Sequence, residues 1–222
     1  MNLLQRQNIK YKLVVFDFDG TIADTSEGII DSHIFTLKSL GIVIPEKKEL
    51  KALIGGNLLK TYMHKFNLSE NNAREAVKIY RKRYAEVGIF KTTLYPSIDK
   101  LFEMLQKNII KIALATLKAE KFAYIMLEQM GVLKFFNYIC GMDENDSFDK
   151  AGLIEKCMLL GQCDPSNTIV IGDSKNDLIG AEKAKTNFIG VTYGFGFEKN
   201  KRYDFLTAEN VEELLYLLKK KI

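Results

Sequence analysis

The feature that most constrains this chain is a series of short apolar, β-branched runs, most of them separated by segments of helix length. Lys12 to Phe16 is the first, followed by Ile109 to Thr116, Phe136 to Gly141, Thr168 to Gly172 and Phe188 to Tyr193. Runs that are apolar throughout, rather than at alternate positions, suit strands buried on both faces. Between the later runs lie Pro96 to Lys107, with proline at a first helical position, Ala119 to Met130 ending at Gly131, Lys150 to Leu160 ending at Gly161, and Asn176 to Lys185. Val211 to Lys220 completes the set. Strands alternating with helices predict an α/β fold, a Rossmann-like three-layer core with a parallel sheet covered on both faces.

One interval breaks this rhythm. From about Asp24 to Thr93 only helical patterns occur. Ile29, Ile30, His33, Ile34, Leu37 and Leu40 trace one apolar stripe at helical spacing. Pro45 can open a second helix that stops at Gly55-Gly56, and Asn57 to Phe66 and Glu70 to Val87 supply two more, with Ser69 available as an N-cap. The expected division is a core formed by 1–23 and 94–222, with an all-helical unit over 24–93 inserted into it and pivots near Asp24 and Thr93.

Composition narrows the function classes. A chain of 222 residues can bury a sizeable core without disulfides or metal staples. The net charge of +4, from 32 basic and 28 acidic residues, is mild, and the lysines are scattered, so no nucleic-acid platform is indicated. Three cysteines without a CxxC pair argue against a disulfide scaffold and a structural zinc site. Met1 to Lys10 lacks the apolar centre of a signal peptide. No apolar run approaches the roughly 18 residues of a membrane span. Lys219 to Lys221 read as a solvated helix end suited to the helix dipole. The expectation is a soluble cytoplasmic protein with no membrane or nucleic-acid partner, a monomer or weak homodimer.

The chemistry gathers just after the apolar runs, where open α/β sheets bind ligands. The first run leads into Asp17-Phe18-Asp19-Gly20-Thr21. Residues i and i+2 of an extended chain face the same side, so both carboxylates can address one site, and the glycine permits a sharp departure. The fourth run leads into Gly172-Asp173-Ser174-Lys175-Asn176-Asp177, which places two more carboxylates at a helix start. Acids gathered this closely call for a cation, and a hard divalent ion such as Mg²⁺, with oxygen ligands and a substrate phosphate in its shell, is the natural one. Thr116-Leu117-Lys118 ends the second run with a hydroxyl and backbone amides, and Lys150 opens a helix where it can place a point charge on a phosphate or a nucleophilic carboxylate. These are the parts of a phosphoryl-transfer site.

Asp17-Phe18-Asp19-Gly20-Thr21 resembles the first motif of the haloacid dehalogenase-like superfamily. Thr116 stands where the second motif has Ser or Thr, Lys150 where the third has Lys, and Asp173 with Asp177 where the fourth has its acids. The resemblance covers nearly the whole chain, and the helical insert is similar to the cap of phosphoglycolate phosphatase-like members. The tail Gly190 to Phe197 is similar to that of phosphoglycolate phosphatase and 5′-nucleotidase-like members. The resemblance implies a Mg²⁺-dependent phosphatase acting on a small phosphorylated metabolite through an aspartyl-phosphate. It makes Asp17 the nucleophile and Asp19 the acid and then the base. Metal ligands would be the Asp17 and Asp173 carboxylates and the Asp19 carbonyl, with Asp177 behind them. Gly20, Thr116, Leu117 and Lys150 would hold phosphoryl oxygens. Leu117 and Ala151 stand where close relatives often carry Asn and Pro. The rival readings are a β-phosphoglucomutase-type phosphotransferase, a pyrophosphatase, and a phospho-aspartate regulatory or binding module without turnover.

The remaining candidates each have a plainer reading. His33, on an apolar helical face, reads as a packed histidine and His64 as a surface one. Lys60, Arg81 and Arg83 read as a solvated helical face, with steering of an anionic substrate as the sharper alternative. Gly55-Gly56-Asn57 is either a substrate-facing loop or a helix break. Phe195 and Phe197 either line an entrance or pack within a loop.

Overall fold

The computed structural model describes residues 11–144 and 146–221; the leader reading of Met1 to Lys10 therefore lies outside the described residues. The central sheet is built from β1 (Leu13–Phe16), β4 (Lys111–Ala119), β5 (Tyr138–Met142), β6 (Thr168–Gly172), β7 (Asn187–Val191) and β8 (Leu206–Ala208). Its order is β5-β4-β1-β6-β7-β8, and all five pairings are parallel. Every residue of β1 is buried, as a strand covered on both faces requires. Alternate residues serve opposite cores. Val14 and Phe16 join a large cluster with Leu101, Phe102, Ile112 and Leu114, whereas Leu13 and Val15 join Ala113, Ala115, Leu153 and Ile154 on the other face.

Helices α5 (Ile98–Lys107), α6 (Glu120–Gln129) and α9 (Val211–Lys219) cover the first face, with Phe102 edge-on to Phe16 at 5.3 Å. Helices α7 (Lys150–Gly161) and α8 (Lys175–Lys183) cover the second. The three layers follow from the buried strands, because each face must find an apolar partner.

Between β1 and β4 the chain makes a two-residue strand β2 (Ala23–Asp24), then α1 (Ser26–Ser39), α2 (Lys47–Lys51), α3 (Leu58–Lys65) and α4 (Glu70–Glu86), and returns through β3 (Thr93–Leu94). β2 and β3 pair antiparallel, Ala23 with Leu94 and Asp24 with Thr93, so the two crossings of the chain lie side by side. Along α1 the apolar stripe buries Ile29, His33 and Leu37 against the other helices. Asn57 caps α3 by accepting from the Lys60 N–H at 3.0 Å, and Ser69 caps α4.

Several boundaries differ from the sequence reading, each for a local reason. Pro96 does not open α5; Ser97 intervenes with a left-handed backbone and the helix starts at Ile98. Ile109 belongs to no strand. It ends α5 at φ 58°, 92 % exposed, while Ile110 N–H bonds back to the Leu105 carbonyl. This is the double-bonded helix stop that glycine normally serves. Helix α7 runs through Gly161, and Gln162 makes the left-handed turn instead. Pro45 precedes rather than opens α2, whose start is set one residue later by a reciprocal cap between Glu46 and Glu49. β8 was not foreseen: it is short, and Leu206 is exposed.

Candidate active site

Asp17 and Asp173 directly follow β1 and β6, and Thr116 lies in the carboxyl-terminal half of β4, the three being neighbouring central strands. From β1 the chain continues to β4 on one side and later crosses to β6 on the other. Asp17 therefore stands where the strand order reverses, the usual place for a ligand in such sheets.

Lys150, at the start of α7, is 6 % exposed, and its Nζ lies 2.6 Å from Asp17 Oδ1 and 2.8 Å from Asp177 Oδ1. It also donates to the Ala115 carbonyl at 2.9 Å. Burial alone would push the ammonium to lose its proton, but the two carboxylates outweigh it and hold Lys150 above its ordinary range. The helix start is fixed by Asp149, whose side chain caps Gly152 N–H at 2.9 Å. Gly180 of α8 passes so close that a Cβ there would stand 2.5 Å from Lys150 Cγ.

The acids are more numerous than their cation. Oxygens of Asp17, Asp173 and Asp177 lie within 4.8 Å of one another, all three buried. Burial pushes the Asp17 carboxyl up to about 7, with Lys150 opposing and Asp177 and Asp19 adding to the rise. Asp173 is pushed up in the same sense by burial, Asp177 and Asp17. An all-oxygen donor set carrying more negative than positive charge fits a hard divalent cation. Asp173 Oδ2 is held by the Phe195 and Gly196 N–H groups at 2.6 and 3.3 Å, and Asp177 Oδ2 by the Ser174 N–H and hydroxyl at 3.0 and 2.7 Å. Gly20, at φ 79°, packs so tightly on Asp173 that no side chain fits.

Asp19 takes other partners. Its Oδ1 accepts from the Thr25 hydroxyl at 2.6 Å and pairs with Lys118 Nζ at 3.0 Å. Lys118 also donates to the Tyr84 hydroxyl of α4 at 2.8 Å and lies 4.5 Å from that ring's centre. Its side chain is 5 % exposed, so the pair is desolvated. Lys118, Thr25 and Tyr84 were not singled out from sequence. Lys118 adjoins Thr116 and Leu117 at a strand end, which was the one available signal; Tyr84 sits on a helix far away in the chain.

A cavity of about 50 Å³ joins these groups to the helical insert. On a measure by which one water needs roughly 10–15 Å³, it holds a small anion. Asp17, Asp19, Thr116, Leu117 and Lys118 line it from the core, and Ile29, His33, Gly55, Gly56, Tyr80, Arg81 and Tyr84 from the insert. Thr116 Oγ1 accepts from Lys118 N–H at 3.2 Å. A wider groove outside it is lined by Lys60, His64 and Lys183 beside Lys150. Arg83 points elsewhere, onto Asp31 at 2.8 Å and the Phe35 ring. Phe197 packs on Phe188 and Phe205, and Phe195 contributes its backbone N–H rather than its ring.

Three buried aspartates bridged by a lysine form a cluster that could hold a metal ion, and Asp17 and Asp19 open on a partly enclosed cavity. Comparison with known proteins gives this site a family. Residues 14–191 match the model of the haloacid dehalogenase-like hydrolases, and the chain belongs to that family. It is 32 % identical over 195 residues to a 5′-nucleotidase of Pseudomonas aeruginosa, spanning 87 % of this chain and 88 % of that one. Identity to a phosphoglycolate phosphatase of Psychrobacter arcticus is 27 % over 202 residues, spanning 86 % and 87 %. A crystal structure described as a predicted phosphatase from Clostridium acetobutylicum superposes with a TM-score of 0.89 at 30 % identity, over 95 % of this chain and 99 % of that one. The chain is thus an enzyme of the hydrolase class. No helix among the described residues is long and apolar enough to cross a membrane.

Proposed function

We propose that this hydrolase is a Mg²⁺-dependent phosphatase that cleaves a small phosphomonoester through a phosphorylated Asp17. The observation that carries the reading is the division of labour between the two acids of Asp17-Phe18-Asp19. One is held by Lys150 among the buried carboxylates and the other by Thr25 and Lys118, yet both open on one cavity. The names of the bacterial relatives support the substrate class.

In this reading Asp17 attacks phosphorus while Asp19 passes its proton to the departing oxygen. The Asp17–phosphorus bond forms as the ester bond breaks. Asp19, now a carboxylate, takes a proton from water, which attacks phosphorus and frees Asp17 and inorganic phosphate. Thr116, the Leu117 N–H and Lys150 hold the phosphoryl oxygens, with Lys150 also offsetting charge between the acids. Gly20 lets the loop lie against Asp173. Mg²⁺, held by Asp17 and Asp173 with the Asp19 carbonyl and with Asp177 behind, would neutralise charge on the phosphoryl group. The insert over 24–93 acts as a cap that closes on the substrate, excludes water and reopens on the β2–β3 ribbon.

The test is phosphate release from an aryl phosphate, phosphoglycolate, nucleoside monophosphates, sugar phosphates and pyrophosphate, with and without Mg²⁺, beside Asp17→Asn. Release that needs both the metal and Asp17 is the expected result. A folded wild type that releases phosphate from none of them overturns the reading.

A further inference from the structure

Asp19 is reached from the helical insert by two routes, and both end on the same oxygen. Thr25, just ahead of α1, donates to Oδ1 at 2.6 Å, and Lys118 Nζ stands 3.0 Å from that atom. Among the described residues no hydrogen bond falls on Oδ2. An ammonium can only donate, so a proton on Asp19 cannot face Lys118 and is carried by Oδ2.

The ammonium is itself held from the insert. Tyr84 of α4 accepts from Lys118 Nζ at 2.8 Å and donates its own O–H to Met126 Sδ at 3.5 Å. Burial holds that hydroxyl well above its ordinary range, so it stays a neutral phenol with a lone pair for Lys118. The ring is fixed in place. It stacks on Tyr80 at 5.8 Å, meets Phe122 of α6 edge-on at 5.6 Å, and lies where a Cβ on Gly88 would collide with it. Asp19, Lys118 and Tyr84 all line the cavity with buried side chains, and bonds shielded from water in this way hold their partners more firmly than surface ones.

From this we infer that Lys118 and Tyr84 are positioning residues for Asp19. The insert, through the Tyr84 hydroxyl, sets the ammonium that keeps Oδ1 engaged and leaves Oδ2 to meet the departing oxygen. The acid is complete only while α4 is seated on the core. This rests on the phosphatase reading, in which the Oδ2 proton passes to the leaving-group oxygen as its bond to phosphorus breaks.

The test sets ethyl phosphate, whose leaving oxygen needs that proton, against acetyl phosphate, which has nearly the same frame and whose acetate departs without one. The quantity to read is kcat/KM, which is measured from free enzyme and substrate. Tyr84→Phe, which keeps every ring contact, and Lys118→Met should each lower it for ethyl phosphate by at least about tenfold, part of what a positioned acid supplies, while acetyl phosphate holds within about twofold. Met126→Leu, a volume-conserving change beside the same hydroxyl, should leave the ratio of the two esters as in wild type. Should Lys118→Met fail to fold, Tyr84→Phe alone decides. Both esters falling alike in Tyr84→Phe, neither falling, or Met126→Leu moving the ratio as far, makes Tyr84 a packing residue and overturns the inference with the phosphatase reading intact. A wild type that uses acetyl phosphate but no alkyl ester lacks a positioned acid and overturns it too. If wild type takes neither small ester, the comparison is read between the best alkyl ester and the aryl phosphate named above. A folded wild type that hydrolyses nothing overturns both readings.

Discussion

Replacing Asp17 with Asn in metal-stripped protein reads directly how much folding free energy the site consumes. The Asp17 carboxyl is pushed up to about 7, chiefly by burial, whereas in an unfolded chain it ionises near 3.9. Between those values the folded protein keeps a proton that the unfolded chain releases. Its stability therefore falls as pH rises, and the loss is complete above the folded value. At about 1.36 kcal/mol per unit, the stretch from about pH 5 to about pH 7 costs wild type up to roughly 2.7 kcal/mol through this one group. His33 works in the opposite sense. Pushed down to about 4 by burial, it leaves the unfolded chain to take up the extra proton below about 6.5, so its share of stability rises with pH over that window. The wild-type curve mixes the two, but the difference between Asp17→Asn and wild type does not, because His33 is common to both. Asp173 adds to the Asp17 effect, since part of its own rise comes from Asp17. Urea unfolding in chelator, followed by circular dichroism, should show Asp17→Asn gaining on wild type by about 2–3 kcal/mol from pH 5 to 7 and levelling above. Saturating Mg²⁺ should close the gap by stabilising wild type. A gap that stays flat or narrows as pH rises would refute the account of the buried acids.

Other outcomes follow from single contacts. Lys118→Met strands the buried Asp19 carboxylate and should cost about 3 kcal/mol of stability; it should also lower kcat/KM at least about tenfold, and unchanged phosphate release would count against the Asp19 pairing. Gly→Ala inside a helix ordinarily gains about 0.5–1 kcal/mol. Gly180→Ala should instead destabilise and depress activity, because the new methyl displaces Lys150; a higher melting temperature with full activity would contradict this. Ile109→Gly relieves a left-handed β-branched residue that is 92 % exposed. Relief of about 1–2 kcal/mol less the extra chain entropy of glycine, about 0.5–1, predicts a net gain near 0.5–1 kcal/mol in urea unfolding, and a loss would refute it.

What could be read from sequence was what local spacing controls. Continuous apolar runs fixed β1 and β6 within a residue, because burial on both faces leaves no other pattern. The order of acids at strand ends likewise placed Asp17, Asp173 and Lys150 together, since a parallel sheet gathers its carboxyl edges. Boundaries set by one turn's chemistry, such as Ile109 and Gln162 in left-handed geometry, carried no signal, as neither is a glycine. Contacts across the insert were equally silent. Lys118 finds Tyr84 at a separation of 34 residues and Arg81 finds Asp146 at 65, and no periodicity encodes such a meeting. His33 shows the limit most clearly: its apolar helical face correctly announced burial, and burial concealed that its Nε2 has no partner among the described residues.

The β2–β3 ribbon has a consequence for how such a chain can diverge. Because departure and return are hydrogen-bonded neighbours, the spacing of β1 and β4 is indifferent to the length of what lies between. Insertions or deletions there that spare Thr25 and Tyr84, which hold Asp19 and Lys118, leave the sheet register untouched and add only the slow logarithmic cost of a longer loop. The stretch between the two crossings is thereby free to vary in length while the sheet it interrupts keeps its pairing.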